Sequence, residues 1–378
     1  MAQSLYFWHS ASPLPWGASK LTNSKPMKKH ILVVLAALLF LPLCLIGQEK
    51  KQYQMGMIGF YNLENLFDTI DDPNTNDQEF LPKGSYGWNG AKYHSKLHNL
   101  AHVISTMGTE ISGHYFHCPD ILGVSEIENR LVLEDLVSQP ELAPYNFGIV
   151  HYDGPDARGV DVGLIYKKGR FTVLGSRSAR LHDPSDPGFK TRDQLLVSGL
   201  YMGDTIHIIV NHWPSRLGGE KRSSPKREMA ARLTRSMVDS LLTINPEAKV
   251  IVMGDLNDDP KNKSVVEVMN APMTDDYTKL QPGQMFNTSY GLYRRGVGTL
   301  CYRGQWNLFD QILITQGLVG KDRSTLKFYG YRIYNDESLN QKSGRYIGYP
   351  LRTHAGGVYL NGYSDHYPVF MLVIKDNL

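Results

Sequence analysis

The side chains best suited to chemistry in this 378-residue chain are carboxylates, imidazoles and amides standing at the ends of apolar runs. Asn62 follows Met57–Tyr61, Glu126 follows Ile121–Ser125, His212 follows Ile206–Asn211, Asp255 follows Val250–Gly254, and Asp310 precedes Gln311–Thr315. Asn257 lies just beyond Asp255, and Asp365-His366 stands before Val369. A hard divalent cation such as Mg²⁺ takes oxygen ligands and keeps several waters, so one or two carboxylates and an amide oxygen suffice. Glu126 with Asn62 supplies that pairing and leaves coordination positions for water and phosphate. Carboxylate–imidazole pairs suit proton transfer. Such a set meets the demands of phosphodiester hydrolysis: an in-line water, neutralised non-bridging oxygens and help for the leaving oxygen.

Taken singly, Asn62 and Glu126 read as strand-end residues and His212 as a satisfied histidine; their order along the chain is what raises them. Rival chemistries fail on spacing. Asp255-Leu256-Asn257-Asp258-Asp259 opens like a calcium loop, but that loop needs Gly at its sixth place and Glu at its twelfth, where Pro260 and Val266 stand. The run Asp72–Asp77 fails likewise, with Asp77 and Lys83 at those places, and reads as a solvated loop. Zinc is disfavoured by the lack of H-E-x-x-H or paired C-x-x-C, and Gly123-Val124-Ser125-Glu126-Ile127 lacks the closing glycine of a serine-hydrolase elbow.

These residues need rigid elements behind them. Strands are predicted at Gln54–Tyr61, Ile121–Ser125, Asn146–His151, Val160–Tyr166, Leu195–Tyr201, Thr205–Asn211, Lys249–Met253, Gln311–Thr315 and Val369–Ile374. Helices are predicted at Ala91–Met107, where Leu97, Leu100, Ala101 and Ile104 keep helical spacing, and at Pro225–Leu242, with proline at the start. No linker, repeat or low-complexity tract interrupts residues 53–378, so one domain is expected, an α/β (α+β) chain with two packed sheets flanked by helices.

Six segments carry a family likeness: Phe60–Asn65, Gly123–Glu126, Arg158–Asp161, Val210–Trp213, Gly254–Asn257 and Ser364–Val369, with Phe309-Asp310-Gln311 between the last two. In this order they resemble the endonuclease/exonuclease/phosphatase superfamily of metal-dependent phosphodiesterases, over roughly residues 55–376. The resemblance implies a mostly antiparallel, four-layer DNase-I-like sandwich and Mg²⁺ or Mn²⁺ as cofactor. It implies that Asp255 positions or activates the water and that the Asn257 amide holds the scissile phosphate. His366 resembles the terminal histidine poised by an aspartate, here Asp310, with Asp365 near the metal. His212 is similar to the histidine that bonds a phosphate oxygen or protonates the leaving group, Arg158 to a phosphate-contacting residue, and Glu64 to a second metal-proximal acid. The activity implied is that of a phosphodiesterase, most readily a nuclease. The alternatives are a phosphatase or phospholipase-type member, or a silent binding module on the same scaffold.

Apolar residues make up 42% and aromatic residues 11% of the chain, enough for a sizeable core and too much for global disorder. The formal charge of +3 owes everything to Lys20, Lys25, Lys28 and Lys29; the remaining chain holds 36 basic and 37 acidic side chains. Any basic footprint for nucleic acid is therefore local. One candidate runs from Arg216 through Lys221, Arg222, Lys226, Arg227 and Arg232 to Arg235: an anion-gathering surface with Arg216 as a substrate contact, or else a solvated helix face. Tyr290, Tyr293, Tyr302 and Trp306 are candidates to stack bases or sugars, against packing as the commoner fate. Met27–His30 and the apolar run Ile31–Ile46 read as an export signal cleaved near Gly47, with residues 1–26 an upstream extension. An uncleaved anchor and lipidation at Cys44 carry less weight. Cys118 and Cys301 remain in the exported chain, and spacing does not say whether they meet. No stable protein partner is inferred, and a monomer is expected.

Overall fold

A computed structural model describes residues 52–111 and 113–377. The expected export signal, its cleavage point, Cys44 and residues 1–26 lie outside these residues. Among the described residues no helix is long and apolar enough to cross a membrane.

Period-two alternation builds the strands. In Lys249–Asp255, Val250 and Val252 face one layer while Ile251 and Met253 face another. Among the described residues eighteen strands form, numbered in chain order. One six-stranded sheet has the order β15–β18–β1–β4–β6–β5. Its strands are Lys327–Ile333, Val369–Asp376, Tyr53–Leu66, Ile121–Ile127, Asp161–Lys167 and Phe147–His151. The other has the order β11–β14–β10–β9–β8–β7. It comprises Phe286–Asn287, Asp310–Ile314, Lys249–Asp255, Asp204–His212, Gln194–Tyr201 and Phe171–Ala179. Three hairpins complete the set: β2–β3 (Gly108–Ile111, His114–His117), β12–β13 (Leu300–Tyr302, Gln305–Asn307) and β16–β17 (His354–Ala355, Val358–Tyr359).

The helices are α1 (Gly90–Thr106), α2 (Arg130–Val137), α3 (Glu220–Ile244) and the short α4 (Tyr290–Arg294). The Asn89 side chain caps α1 by accepting from Lys92 N. Three apolar clusters define four layers. Leu97, Leu100 and Ile104 of α1 and Leu133 and Leu136 of α2 pack on one sheet; Ile58, Phe60, Ile208, Val210, Ile251 and Met253 fill the space between the sheets; Ala230, Ala231 and Val238 of α3 cover the other sheet. The sandwich of two sheets flanked by helices is the expected class. Most pairings are antiparallel, but each sheet has a parallel pair at its centre, β1–β4 and β10–β9. From Gln52 onward the chain packs as one unit.

Of the elements that were not legible, the longest are β7, β15 and α2. Strands β7 and β15 are largely solvent-facing edges, so their apolar alternation is diluted, and α2 is too short for a clear helical period. Helix α3 starts at Glu220 rather than at Pro225. The proline is tolerated in the second turn because the carbonyl it leaves without a donor belongs to exposed Lys221.

Candidate active site

The same alternation that buries Ile58 and Phe60 between the sheets puts Asn62 on that inner side at the strand end. It does the same for His212 after Ile208 and Val210, for Asp255 after Ile251 and Met253, and for Asp310 before Ile312 and Ile314. Register then gathers them. Asp255 pairs with His212 across the parallel β9–β10 ladder and with Asp310 across the antiparallel β10–β14 ladder, while Asn62 pairs with Ser125, next to Glu126. Strand β18 runs antiparallel to β1, so His366, just before it, arrives at the same end.

Gly254 permits this register, because a Cβ there would stand 2.2 Å from the Asn211 carbonyl oxygen of β9. Beside it, β1 and β4 both break register, between Asn62 and Leu66 and between Ser125 and Ile127. Such bulges re-aim side chains. Glu64, Asn65, Glu126 and Asn257 all have positive φ, near 50–60°. Asparagine tolerates this region and glutamate does so rarely; such strain persists only where the surroundings impose it. Glu126 Oε2 is held by Asn65 N at 3.0 Å, and Asn257 N is held by Asp255 Oδ1 at 2.9 Å.

At the centre, Asn62 Nδ2 donates to Glu126 Oε1 (3.3 Å) and to Asp255 Oδ2 (3.2 Å). His212 Nε2 lies 3.7 Å from both of these oxygens. His366 Nε2 is 3.9 Å from Asp255 Oδ2, and its Nδ1 is bonded to buried Asp310 at 2.7 Å. Asp365 Oδ1 stands 4.0 Å from His366 Nε2. Asn257 Nδ2 donates to the Trp213 carbonyl (3.0 Å), which uses one of its two amide hydrogens. Arg158 sits at the rim with NH1 3.4 Å from Asn65 Oδ1.

Burial pushes the Asp255 carboxyl up to about 7, and the Asp310 and Glu126 charges add to this against the His366 cation. Burial, with Arg192, Arg158 and His366, holds His212 well below the usual histidine range, so its imidazole is neutral. Burial works against the charged form of His366 as well, but Asp310, Asp255 and Asp365 outweigh it and hold the imidazole protonated. For Asp365, burial is outweighed by Arg352, His366 and Lys96, which keep it ionised.

The donor set fits a hard divalent cation. Ligand atoms of Glu126, His212 and Asp255 lie within 4.8 Å of one another, and burial beside Glu126 and Asp310 works against the ionised form of Asp255. Three of the expected site residues have partners within the protein. The Asn62 oxygen accepts from Glu64 N (2.9 Å), so the amide turns its nitrogen, not its oxygen, toward the carboxylates and orients them. Glu64 is committed to Arg352 (3.0 Å), Thr353 N (2.7 Å) and Lys96 (3.6 Å). Arg216 is spent on the Asn257 carbonyl, Glu220, Asp258, Asp259 and Asn262. It therefore braces the Asn257 loop. Arg227 of the same basic run is fully buried against Asp258 (2.7 Å).

Sequence reasoning missed three cations. Arg352 forks between Glu64 and Asp365 (2.8 Å), tying β1 to the segment before His366. Arg192 is buried on the carbonyls of His212 and Trp213. Lys96 bonds Thr353 Oγ1 and the Tyr363 carbonyl. Only Lys96 left a signal: a lysine inside the apolar stripe of Tyr93, Leu97 and Leu100. Cys118 and Cys301 are both free.

A four-layer sandwich whose paired strand ends gather carboxylates, imidazoles and amides defines a class of phosphoester hydrolases. Residues 57–375 match the endonuclease/exonuclease/phosphatase family, and the chain belongs to it. No curated protein sequence matches significantly. Among solved structures, a family protein from Bacteroides thetaiotaomicron is similar at 15% identity and TM-score 0.52, covering 86% of this chain and 100% of that one. A humanized D. rerio TDP2 carrying 14 mutations is similar at 14% and 0.51, covering 84% and 98%. The mannosyl-6-phosphatase Bt3783 of B. thetaiotaomicron VPI-5482 is similar at 15% and 0.50, covering 84% and 99%. At these identities the likeness is one of fold.

Proposed function

We propose that this chain is an exported, Mg²⁺- or Mn²⁺-dependent phosphodiesterase of nuclease type. The observation that carries the reading is the meeting of Glu126, His212, Asp255 and the Asp310–His366 pair in one cleft from strands distant in sequence. Export rests on the apolar run Ile31–Ile46 behind its lysines.

Glu126 would hold the cation, with Asp255 and neutral His212 at its border. Bound there, the ion would polarise the phosphoryl group and make water more acidic. Asn62 keeps the two carboxylates apart and aligned. Asp255 Oδ2 is the acceptor for a proton from the attacking water. The remaining Asn257 amide hydrogen and the Arg158 guanidinium bind non-bridging oxygens, where charge grows in the transition state. His366, charged through Asp310, faces that charge and supplies the proton for the leaving oxygen.

The expected outcome is turnover of bis(p-nitrophenyl) phosphate and release of acid-soluble nucleotides from DNA or RNA, both abolished by EDTA and restored by Mg²⁺ or Mn²⁺. Asp255→Ala should lower turnover by about 10²–10⁴ in a folded protein. A folded Asp255→Ala chain with near-full activity would reject the assignment, and metal-dependent release of phosphate from monoesters alone would move it to the phosphatases.

A further inference from the structure

Beside the catalytic cleft lies a cavity of about 590 Å³ that none of the chemistry above uses. Asp365 and Arg352 form its inner wall, so it opens where the leaving or retained part of a substrate must lie. Its outer walls come from the tip of the β12–β13 hairpin and from the loop before β16: Tyr302 and Arg303 on one side, Arg345, Tyr346 and Tyr349 on the other.

Charge and ring chemistry narrow the occupant. Arg352 is neutralised by Glu64 and Asp365. Arg303 and Arg345 have no ion-pair or hydrogen-bond partner among the described residues; each only leans over a tyrosine, 5.1 Å from the Tyr302 centroid and 5.7 Å from that of Tyr346. Two uncompensated guanidinium groups in one concavity favour an anion, and a guanidinium fork matches phosphate. Tyr346 and Tyr349 form a tilted row on the cavity wall, with ring centroids 5.7 Å apart and planes at 48°. Such a row suits a flat ring. A cationic lipid headgroup would be repelled by the arginines. A simple sugar phosphate has one phosphate only, and the catalytic centre takes it.

We infer that this cavity is a nucleotide subsite: Tyr302, Tyr346 and Tyr349 stack the base next to the scissile phosphate, while Arg303 and Arg345 bind the following phosphate. The inference rests on the phosphodiesterase reading and deepens it, since it selects an oligonucleotide strand over an isolated ester. The volume lies within the range of ligand sites of this kind.

Three esters with one leaving group test it: methyl p-nitrophenyl phosphate, thymidine 5′-(p-nitrophenyl phosphate), and the latter bearing a 3′-phosphate. With Mg²⁺, kcat/KM is expected to rise about tenfold when the nucleoside is added and about tenfold again with the 3′-phosphate. In Tyr349→Ala the first ratio falls toward one, and in the Arg303→Ala/Arg345→Ala double variant the second does. Both arginines are exposed, so the fold does not depend on them. Calorimetric binding of thymidine 3′,5′-bisphosphate to the metal-free chain reads the cavity without catalysis, and the double variant should weaken it about tenfold or more. Equal kcat/KM for all three esters, or bisphosphate binding unchanged in the double variant, overturns the subsite. Arginine-dependent binding with no ester turned over would uphold the subsite and reject the hydrolase.

Discussion

Two imidazoles meet at Asp255 in opposite charge states, and neither state could be assigned from residue type. His212 is neutral because it is buried beside Arg192 and Arg158, and among the described residues its Nδ1 has no hydrogen-bond partner. His366 is charged because Asp310 lies 2.7 Å from Nδ1 and offsets the cost of burial. The side chain at 310 therefore decides what His366 does. Asp310→Asn keeps the size and removes the charge, so kcat on bis(p-nitrophenyl) phosphate should fall about 10²–10⁴ with little change in KM. Arg352 acts one contact further out, on Asp365 and Glu64. Arg352→Ala leaves two buried or half-buried carboxylates without their fork and should cost stability of about 2–3 kcal/mol, read as a lower urea midpoint.

At the level of elements, the β9–β10 pair sets the site. Gly254→Ala would force the strands apart beneath His212 and Asp255, because its Cβ meets backbone and not a movable side chain. It should lower stability by about 1–3 kcal/mol and depress activity more than stability accounts for. The β16–β17 hairpin offers a different handle. His354 packs among the rings of Tyr86, Trp88 and Tyr359, and Lys92, Lys96 and Arg352 are the charged groups that face it. Burial first, then those cations, push its imidazole down to about 4. The unfolded chain then binds one more proton between about pH 4 and 6.5, so stability is fully present above pH 6.5 and is lost as pH falls toward 4. Urea midpoints across that window should fall less steeply in His354→Gln.

For the whole molecule, the sandwich is clamped at the end remote from the site. Asp120, just before β4, accepts from Tyr201 of β8 at 2.6 Å and pairs with Arg170 and Lys167. This cluster, buried at Asp120 and Tyr201, ties one sheet to the other across the apolar layer of Ile58, Val197 and Ile208. Asp120→Ala would strand the buried Tyr201 hydroxyl, and should cost about 1–3 kcal/mol by urea denaturation. Turnover per folded molecule should stay near wild type, because β4 separates Asp120 from Glu126 by its whole length.

Much of this architecture was legible in the linear chain, for a local reason. Period-two burial is written residue by residue, so nine of the twelve strands in the two sheets, the strand-end positions of Asn62, His212, Asp255 and Asp310, and the likeness in Gly254–Asn257 and Ser364–His366 all lay open to inspection. What escaped depends on partners remote in sequence. Glu64 and Arg216 stand out by type and position, whereas the Arg352, Lys96, Asp258 and Asp259 side chains that pair with them do not. The direction of the Asn62 amide depends on the Glu64 backbone, and the charges of the two histidines on Arg192 and Asp310. Alternation dictates which side of a strand a side chain takes. Hydrogen bonding and charge depend on distance through space, and that distance exists only once the two sheets have closed on each other.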